Sequence, residues 1–374
     1  MVGIQIEPPE RGTPKDKSGV THMRLKPIQE QVVVIIGASS GIGRETALRF
    51  AARGAKVVVS ARGEPGLVSL VEEIAAAGGT AIHVVCDVTR EDEVAAVADA
   101  AARAYGRIDT WVNAAAVSVY AKFEETSAEE FRRVVDVTFM GQVHGARAAL
   151  PHLRREGRGA LIAISSVEGR VGMPLHSSYS AAKHATEGFL DSLRRELLHD
   201  GVAISVTSIK PTTINTPFFD NSRTKMGVKP QGPPPRYQPG VVADCALYAA
   251  ETPIRELYAG GGARMMELGQ TLAPSLMDRV VSRVAVNAQQ TDEPKPLGAP
   301  DNLFAPRTEE TRVEGDFSDS SRSSSLYTWF ETHRGARTLL AAGVLGTAAM
   351  MFARRGESAA RTDTPGNDSD SLSA

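Results

Sequence analysis

The segment 32–44, which reads V-V-V-I-I-G-A-S-S-G-I-G-R, constrains the fold of this 374-residue chain more than any other. Five β-branched residues predict a strand that ends at Gly37, and Gly41 and Gly43 then open an amphipathic segment typical of a helix. Glycine adopts positive φ and lets the backbone come close to a phosphate. A strand, a glycine turn and a helix N-terminus together form a site for the pyrophosphate of a dinucleotide. A simple tight turn is the alternative, and the preceding strand argues against it.

A second pattern is formed by Ser166, Tyr179 and Lys183, which lie within eighteen residues of one another. Tyr179 and Lys183 are four residues apart, so on a helix they project from the same face. A nearby ammonium favours the phenolate and lowers the pKa of a tyrosine from its usual value of about 10. A tyrosine tuned in this way can exchange a proton with an alcohol oxygen, which the Ser166 hydroxyl would hold. Taken alone, the pair also suits an ordinary surface helix.

Together the two patterns resemble the short-chain dehydrogenase/reductase family, which combines this glycine motif with a Ser…Tyr-x-x-x-Lys site. The resemblance runs from about residue 31 to about residue 285. It implies an NAD(P)-dependent oxidoreductase that acts on CH-OH donors, and a substrate that is a small alcohol or carbonyl compound. It also implies a Rossmann-like α/β fold with a doubly wound parallel sheet. Strand-like and helical runs alternate from 31 to about 258, which predicts the same sheet.

Further positions follow the family pattern, and one departs from it. Asp87 and Val88 end a predicted strand where the family binds adenine, and Asn113 opens the turn after the next strand. Pro211 precedes the loop that reaches the nicotinamide in the family. Thr138 stands where the family usually has an asparagine that completes a proton relay through a water, and a hydroxyl offers one donor where an amide offers two. The candidate catalytic residues are therefore Ser166, Tyr179, Lys183 and Thr138.

The choice of cofactor is argued from charge at the end of the second predicted strand, 56–60. An acidic residue there would accept a hydrogen bond from a ribose 2′-OH and repel a 2′-phosphate. The chain has Ala61 instead, followed by Arg62, whose planar fork of donors suits a phosphate, and Arg44 adds positive charge nearby. We therefore expect NADP(H) rather than NAD(H), although Arg62 would also suit a solvated loop. The predicted cofactor-binding residues are Gly37, Ser39, Ser40, Gly41, Ile42, Gly43, Arg62, Asp87, Val88, Asn113, Tyr179, Lys183 and Pro211.

Composition is consistent with one large catalytic domain. The formal net charge of −2 gives no electrostatic case for binding nucleic acid. The two cysteines, Cys86 and Cys245, fall in predicted elements and suit buried thiols in a reducing compartment, and the eight histidines show no metal-ligand spacing. We expect a cytoplasmic homo-oligomer without a bound metal.

Beyond the domain, composition changes twice. Residues 1–28 form a polar tail without the apolar core of a signal peptide, and 29–287 form the catalytic domain. Residues 288–325 are rich in Pro, Asp, Glu, Ser and Arg, which predicts a disordered linker, with an extended tail packed across the domain as the alternative. Residues 357–374 are again polar and predict disorder. Residues 326–356 are predicted to form a C-terminal hydrophobic helix. This segment contains an uncharged run.

This run, 338–353, contains sixteen residues without a charge and is flanked by arginines on both sides. A membrane-spanning helix needs about 20 apolar residues, so the run is slightly short. It suits a short membrane anchor, an interfacial helix, a helix docked on the enzyme or a dimer contact. Because predicted disorder isolates it from the domain, we favour membrane attachment.

Two classes of function remain open at this point. One is an oxidoreductase with Tyr179 as general acid/base, and the other is a cofactor-binding scaffold or regulatory protein with little turnover. The intact Ser166, Tyr179 and Lys183 favour the enzyme, because a scaffold needs no tuned phenol. The Pro- and Gly-rich segment 218–239 follows Pro211 and predicts either a substrate-binding lid or an insertion without contacts.

Overall fold

The computed structural model describes residues 23–309, 311–333 and 335. Its strands, in chain order, are β1 (Val32–Ile36), β2 (Lys56–Ala61), β3 (Thr80–Val85), β4 (Thr110–Asn113), β5 (Val119–Tyr120), β6 (Gly159–Ile164), β7 (Ile204–Pro211), β8 (Thr213–Ile214), β9 (Arg223–Thr224), β10 (Val228–Pro230), β11 (Arg236–Tyr237), β12 (Glu256–Ala259), β13 (Gln290–Pro294) and β14 (Ser321–Arg322).

The helices are α1 (Gly41–Ala52), α2 (Glu64–Ala76), α3 (Glu91–Tyr105), α4 (Ala128–Val135), α5 (Gly141–Arg155), α6 (Ser177–His199), α7 (Phe218–Asn221), α8 (Pro239–Glu251), α9 (Gly261–Leu272), α10 (Pro274–Ala288) and α11 (Leu326–Thr332). Short 3-10 turns lie at Ile28–Glu30, Phe123–Glu125, Val167–Gly169 and Ser318–Ser320, and a π turn lies at Asp136–Met140.

Seven strands form one parallel sheet in the order β12-β7-β6-β4-β1-β2-β3. The chain builds outward from β1 to β3, then crosses to β4 on the other side of β1 and continues to β12. In such sheets, ligands bind outside the carboxyl ends of the strands where the order reverses. Here the reversal lies between β1 and β4. The predicted Rossmann-like, doubly wound fold is confirmed.

The core lies on both faces of this sheet, because successive strand residues point to opposite sides. Val33 and Ile35 of β1 pack into one buried cluster with residues of α1 and α8. Val34 and Ile36 pack into the other, with residues of α3, α5 and α6. All five residues of β1 are buried, as expected for a parallel strand covered on both sides.

The helical segment between β5 and β6 is divided into α4, the π turn and α5. The π turn contains Thr138, one of the predicted catalytic residues. π turns within helices are frequent at functional sites because they displace the backbone from its regular path. Here the turn lies opposite α6, which carries Tyr179.

Residues 288–325, for which composition predicts a disordered linker, lie against the domain. β13 pairs antiparallel with β10, and β14 pairs with β11. The Leu303 side chain is fully buried in the cluster that contains Val34. The structure here differs from the linker and follows the packed-tail alternative, because backbone pairing and a few apolar anchors stabilise a segment whose overall composition is polar.

Within the described ranges, no helix has the length and apolar character needed to cross a membrane. The run 338–353 lies outside the described residues, as do the polar tails 1–22 and 357–374.

Candidate active site

A cavity of about 610 Å³ opens at the carboxyl ends of the central strands, beside the reversal in strand order. Most of the predicted site residues lie in its wall. These are Gly37, Ser39, Ser40, Gly41, Ile42, Gly43, Arg62, Val88, Ser166, Tyr179, Lys183 and Pro211. The remaining three, Asp87, Asn113 and Thr138, are not among the wall residues and support neighbouring segments instead.

One end of the cavity is the glycine turn between β1 and α1. Gly37 has φ of +83°, and a Cβ built on it would lie 2.5 Å from the Ala115 nitrogen. A Cβ on Gly43 would lie 2.1 Å from the Gly37 oxygen. Side chains are therefore excluded, which leaves bare backbone and the N-terminus of α1 facing the cavity. This cradle fits the pyrophosphate of a dinucleotide.

The candidate catalytic residues Ser166, Tyr179 and Lys183 also lie in the cavity wall. β6 ends just before Ser166, and α6 carries Tyr179 and Lys183 one turn apart. All three side chains are buried. The Lys183 ammonium donates a hydrogen bond of 2.8 Å to the Ile164 carbonyl. The structure thus brings together the three residues whose spacing singled them out in the sequence.

The electrostatics of this group differ from the expectation that Lys183 lowers the pKa of Tyr179. Burial, and then the negative charge of Glu168, raise the pKa of Tyr179, while an interaction with the Ser166 hydroxyl opposes them. Burial also lowers the pKa of Lys183 to about 8. Desolvation disfavours the charged form of each group, and it is the largest cause of both shifts. Tyr179 is therefore protonated at neutral pH and can donate its proton.

A buried carboxylate beside Tyr179 was not identified from the sequence. Glu168 lies 2.9 Å from Nδ1 of His176 and accepts a 2.7 Å hydrogen bond from the Ser180 hydroxyl. The His176 ring lies 5.4 Å from that of Tyr179, between centroids. Both Glu168 and His176 line the cavity. No spacing rule joins two residues eight positions apart across a turn, so only the fold reveals this pair.

Thr138 lies fully buried, and its hydroxyl is held by the backbone of Val117. It donates to the Val117 oxygen at 3.1 Å and accepts from the Val117 nitrogen at 3.2 Å. Asn113 is similarly held, because its Oδ1 accepts from Trp111 at 2.9 Å and its Nδ2 lies 3.4 Å from the Gln142 oxygen. These contacts fix the loop after β4, which forms part of the cavity wall.

Three polar side chains that the sequence analysis connects with the cofactor differ in their surroundings. Arg62 lines the cavity, where burial and the nearby charge of Arg133 lower its pKa. Asp87 is paired with Arg133 at 2.8 Å. Arg44, by contrast, donates to Glu73 at 2.6 Å from within α1 and lies away from the wall.

The far end of the cavity is apolar. Segment 218–239, predicted as a lid or a contact-free insertion, contributes several wall residues, among them Phe218 and Phe219. The helical pair α9 and α10 contributes Met266, Met277 and Val281. This end therefore offers a hydrophobic surface next to Tyr179, whose ring lies 5.7 Å from that of Phe218.

Comparison with known proteins identifies the family and the fold. The family described as short chain dehydrogenase matches residues 31–227. The uncharacterized oxidoreductase YxnA of Bacillus subtilis is 39% identical over 276 residues, which cover 73% of this chain and 78% of that protein. Dehydrogenase/reductase SDR family member 7B of Bos taurus is 38% identical over 209 residues, 54% of this chain and 63% of the relative.

Two solved structures have the same fold. One is a 7α-hydroxysteroid dehydrogenase complexed with NADH and 7-oxo glycochenodeoxycholic acid, with a TM-score of 0.55, 26% identity, and coverage of 62% of this chain and 93% of that one. The other, an alcohol dehydrogenase from Thermococcus sibiricus complexed with 5-hydroxy-NADP, has a TM-score of 0.53, 24% identity, and coverage of 61% and 95%. The chain belongs to the short-chain dehydrogenase/reductase family and is an NAD(P)-dependent oxidoreductase.

Proposed function

We propose that this protein is an NADP(H)-dependent oxidoreductase that interconverts an alcohol and a carbonyl compound, with Tyr179 as general acid/base. One observation carries the proposal. The buried phenol of Tyr179, with Ser166 and Lys183 beside it, lies in the same cavity as the glycine cradle. A scaffold that only binds a cofactor has no need for this arrangement.

The nicotinamide, when bound, supplies the hydride for reduction and accepts it in oxidation. In reduction, Tyr179 donates its phenolic proton to the carbonyl oxygen as the carbonyl carbon gains the hydride, which leaves an alcohol and a phenolate. The phenolate then regains a proton from solvent. Tyr179 is protonated at neutral pH, which is the form that this direction requires.

Ser166 and Lys183 have supporting roles in this proposal. The Ser166 hydroxyl interacts with the Tyr179 phenol and lines the cavity, so it is suited to orient the substrate oxygen. The Lys183 ammonium has three donors, of which the Ile164 carbonyl uses one. The others are suited to the cofactor ribose and to the phenolate that forms in reduction.

The preference for NADP(H) rests on Arg62. Its guanidinium lies in the cavity wall just beyond the end of β2. Burial and the like charge of Arg133 both disfavour its protonated form, and a bound phosphate would relieve this cost. We expect Arg62→Ala to weaken NADPH binding by about 1.5–3 kcal/mol, the usual contribution of a charged hydrogen bond, and to leave NADH binding nearly unchanged.

The experiment that tests the reaction uses the purified full-length chain with NADPH and a panel of aldehydes, ketones and quinones. Product analysis by mass spectrometry should find one alcohol formed for each NADPH consumed. NADPH binding without any product across the panel would favour the scaffold.

We further propose that the enzyme is a homo-oligomer that faces the cytoplasm and is attached to a membrane through 338–353. This run carries no charge and lies between pairs of arginines. A variant that ends at Gly335 should move from the membrane to the soluble fraction and stay active. Full-length protein that is already soluble at low and high salt would contradict the attachment.

A further inference from the structure

Part of the C-terminal extension crosses the cofactor end of the cavity. We define the strap as residues 301–309 and 311–316. The Gly41 amide, at the start of α1, donates a 3.0 Å hydrogen bond to the Arg312 carbonyl. A Cβ built on Gly63 would lie 3.5 Å from Pro306. Asn302, Pro306 and Arg307 are themselves wall residues of the cavity. The strap therefore borders the glycine cradle and the end of β2.

The strap holds the guanidinium of Arg62. Arg62 donates to the Asn302 carbonyl at 2.5 Å and to the Phe304 carbonyl at 3.3 Å. Two of its five N–H donors are used in this way, so others remain for a ligand. These two carbonyls flank Leu303, and together they restrict the rotamers of the long Arg62 side chain.

The residue between those two carbonyls is the apolar anchor of the strap. The Leu303 side chain is fully buried in the core cluster. Its carbonyl accepts a 3.0 Å hydrogen bond from Arg133, whose other nitrogen pairs with Asp87. Its amide donates to the Asp301 carboxylate at 2.9 Å. Leu303 thus fixes the positions of both carbonyls that contact Arg62.

Further contacts fix both ends of the strap to the segment that follows Pro211. Asp301 pairs with Arg223 at 2.8 Å. At the other end, Arg312 lies 3.2 Å from Asp220, and Asp316 pairs with Lys229. The strap is therefore held independently of any cofactor contact, which is what a positioning element requires.

We propose that the strap is a positioning element of the cofactor site, which holds Arg62 in place to bind the 2′-phosphate of NADP(H). Selection of NADP(H) over NAD(H) then depends on a segment outside the region that matches the family, which ends at residue 227. Leu303 is the central positioning residue, and it acts through Arg62. The inference rests on the proposed preference for NADP(H).

The test is a double-mutant cycle on the full-length chain, read out by equilibrium binding of NADPH and NADH. Leu303→Ala should raise the Kd for NADPH about tenfold, within the range of a charged hydrogen bond, and change that for NADH far less. In an Arg62→Ala background, Leu303→Ala should add little further loss, because both changes remove the same contact. Leu303→Met should retain the preference.

Leu297→Ala is the matched control, since this leucine lies in the same extension and is 72% exposed. If Leu303→Ala fails to fold, Asp301→Asn replaces it, because this change weakens the strap without opening the core. Thermal unfolding separates loss of binding from loss of folded protein.

Equal losses for NADPH and NADH, or additive losses in the cycle, would overturn the inference and leave the strap a structural cover. Tighter binding of both cofactors in Leu303→Ala would also overturn it and show that the strap obstructs the site. Binding is measured apart from turnover, so these outcomes are independent of whether the protein reduces a carbonyl. A wild-type preference for NADH would remove the proposed preference and the inference together.

Discussion

The Lys183 ammonium lies 5.4 Å from the centre of the Tyr179 ring. Both side chains are buried, and burial favours the neutral form of each group. It therefore raises the pKa of the phenol and lowers the pKa of the ammonium to about 8. The Tyr179 phenol is therefore protonated at neutral pH, in contrast to the phenolate that the four-residue spacing suggests.

Ser166→Ala tests the group that is suited to orient the substrate. The change removes a hydroxyl that interacts with Tyr179 and accepts a 3.1 Å hydrogen bond from the Glu168 amide. We expect kcat/KM for carbonyl reduction to fall about 10–100-fold, while NADPH affinity stays close to that of the wild type. Steady-state kinetics and cofactor titration check this. Unchanged kcat/KM would remove Ser166 from the reaction.

Glu168→Gln tests the influence of the buried carboxylate on the phenol. The carboxylate disfavours the phenolate, so its removal should lower the pKa of Tyr179. Alcohol oxidation needs the phenolate, so its rate rises with pH as Tyr179 loses its proton. In the variant, this rise in rate should occur at lower pH. The exposed Glu196, on the same helix as Tyr179, supplies the control Glu196→Gln. Identical pH profiles for wild type and Glu168→Gln would contradict this assignment.

Lys183→Met tests the cost of burying the ammonium. The pKa is lowered from 10.5 to about 8 in the folded chain, so the unfolded chain binds more protons between these values. Wild-type stability should then rise with pH through this window. Without cofactor, Lys183→Met should be more stable than the wild type near pH 7, by about 1–3 kcal/mol. Denaturant unfolding should show this advantage shrinking towards pH 10.5, and an advantage independent of pH would refute the explanation.

Thr138→Val tests the residue in the π turn. The Thr138 hydroxyl is the partner of both backbone groups of Val117, and valine would leave these buried groups unpaired. We expect a loss of about 1–3 kcal/mol in the free energy of unfolding, together with a lower kcat. Thr138→Ser should keep both, and Thr138→Asn should keep or raise activity if the residue serves the relay. A Val variant with wild-type stability and kcat would exclude both roles.

The regular part of the fold follows from local patterns. Buried strands such as β1 are continuous β-branched runs, and α6 shows its bounds and its Tyr179–Lys183 face directly in the sequence. The glycine cradle was also predictable, because a side chain on Gly37 or Gly43 would meet backbone atoms. In these cases, the residues that form the element also determine its structure.

The strap and the Glu168–His176 contact could not be predicted in this way. Leu303 is one apolar residue in a polar stretch, and its burial depends on helices and strands far away in the chain. The pKa of Tyr179 likewise depends on desolvation by the assembled fold, which the four-residue spacing to Lys183 does not report. The prediction for 338–353 falls outside the described residues and stays a prediction.

The central claim is tested most directly by comparing wild type and Tyr179→Phe in the carbonyl-dependent oxidation of NADPH, with matched NADPH titrations. The phenylalanine keeps the ring and removes only the proton donor. We predict that the wild type oxidises NADPH only with a carbonyl substrate, and that Tyr179→Phe reduces kcat by about 10²–10⁴-fold while it binds NADPH nearly as well. Equal kcat values in the two proteins would contradict the assignment of Tyr179 as the general acid/base.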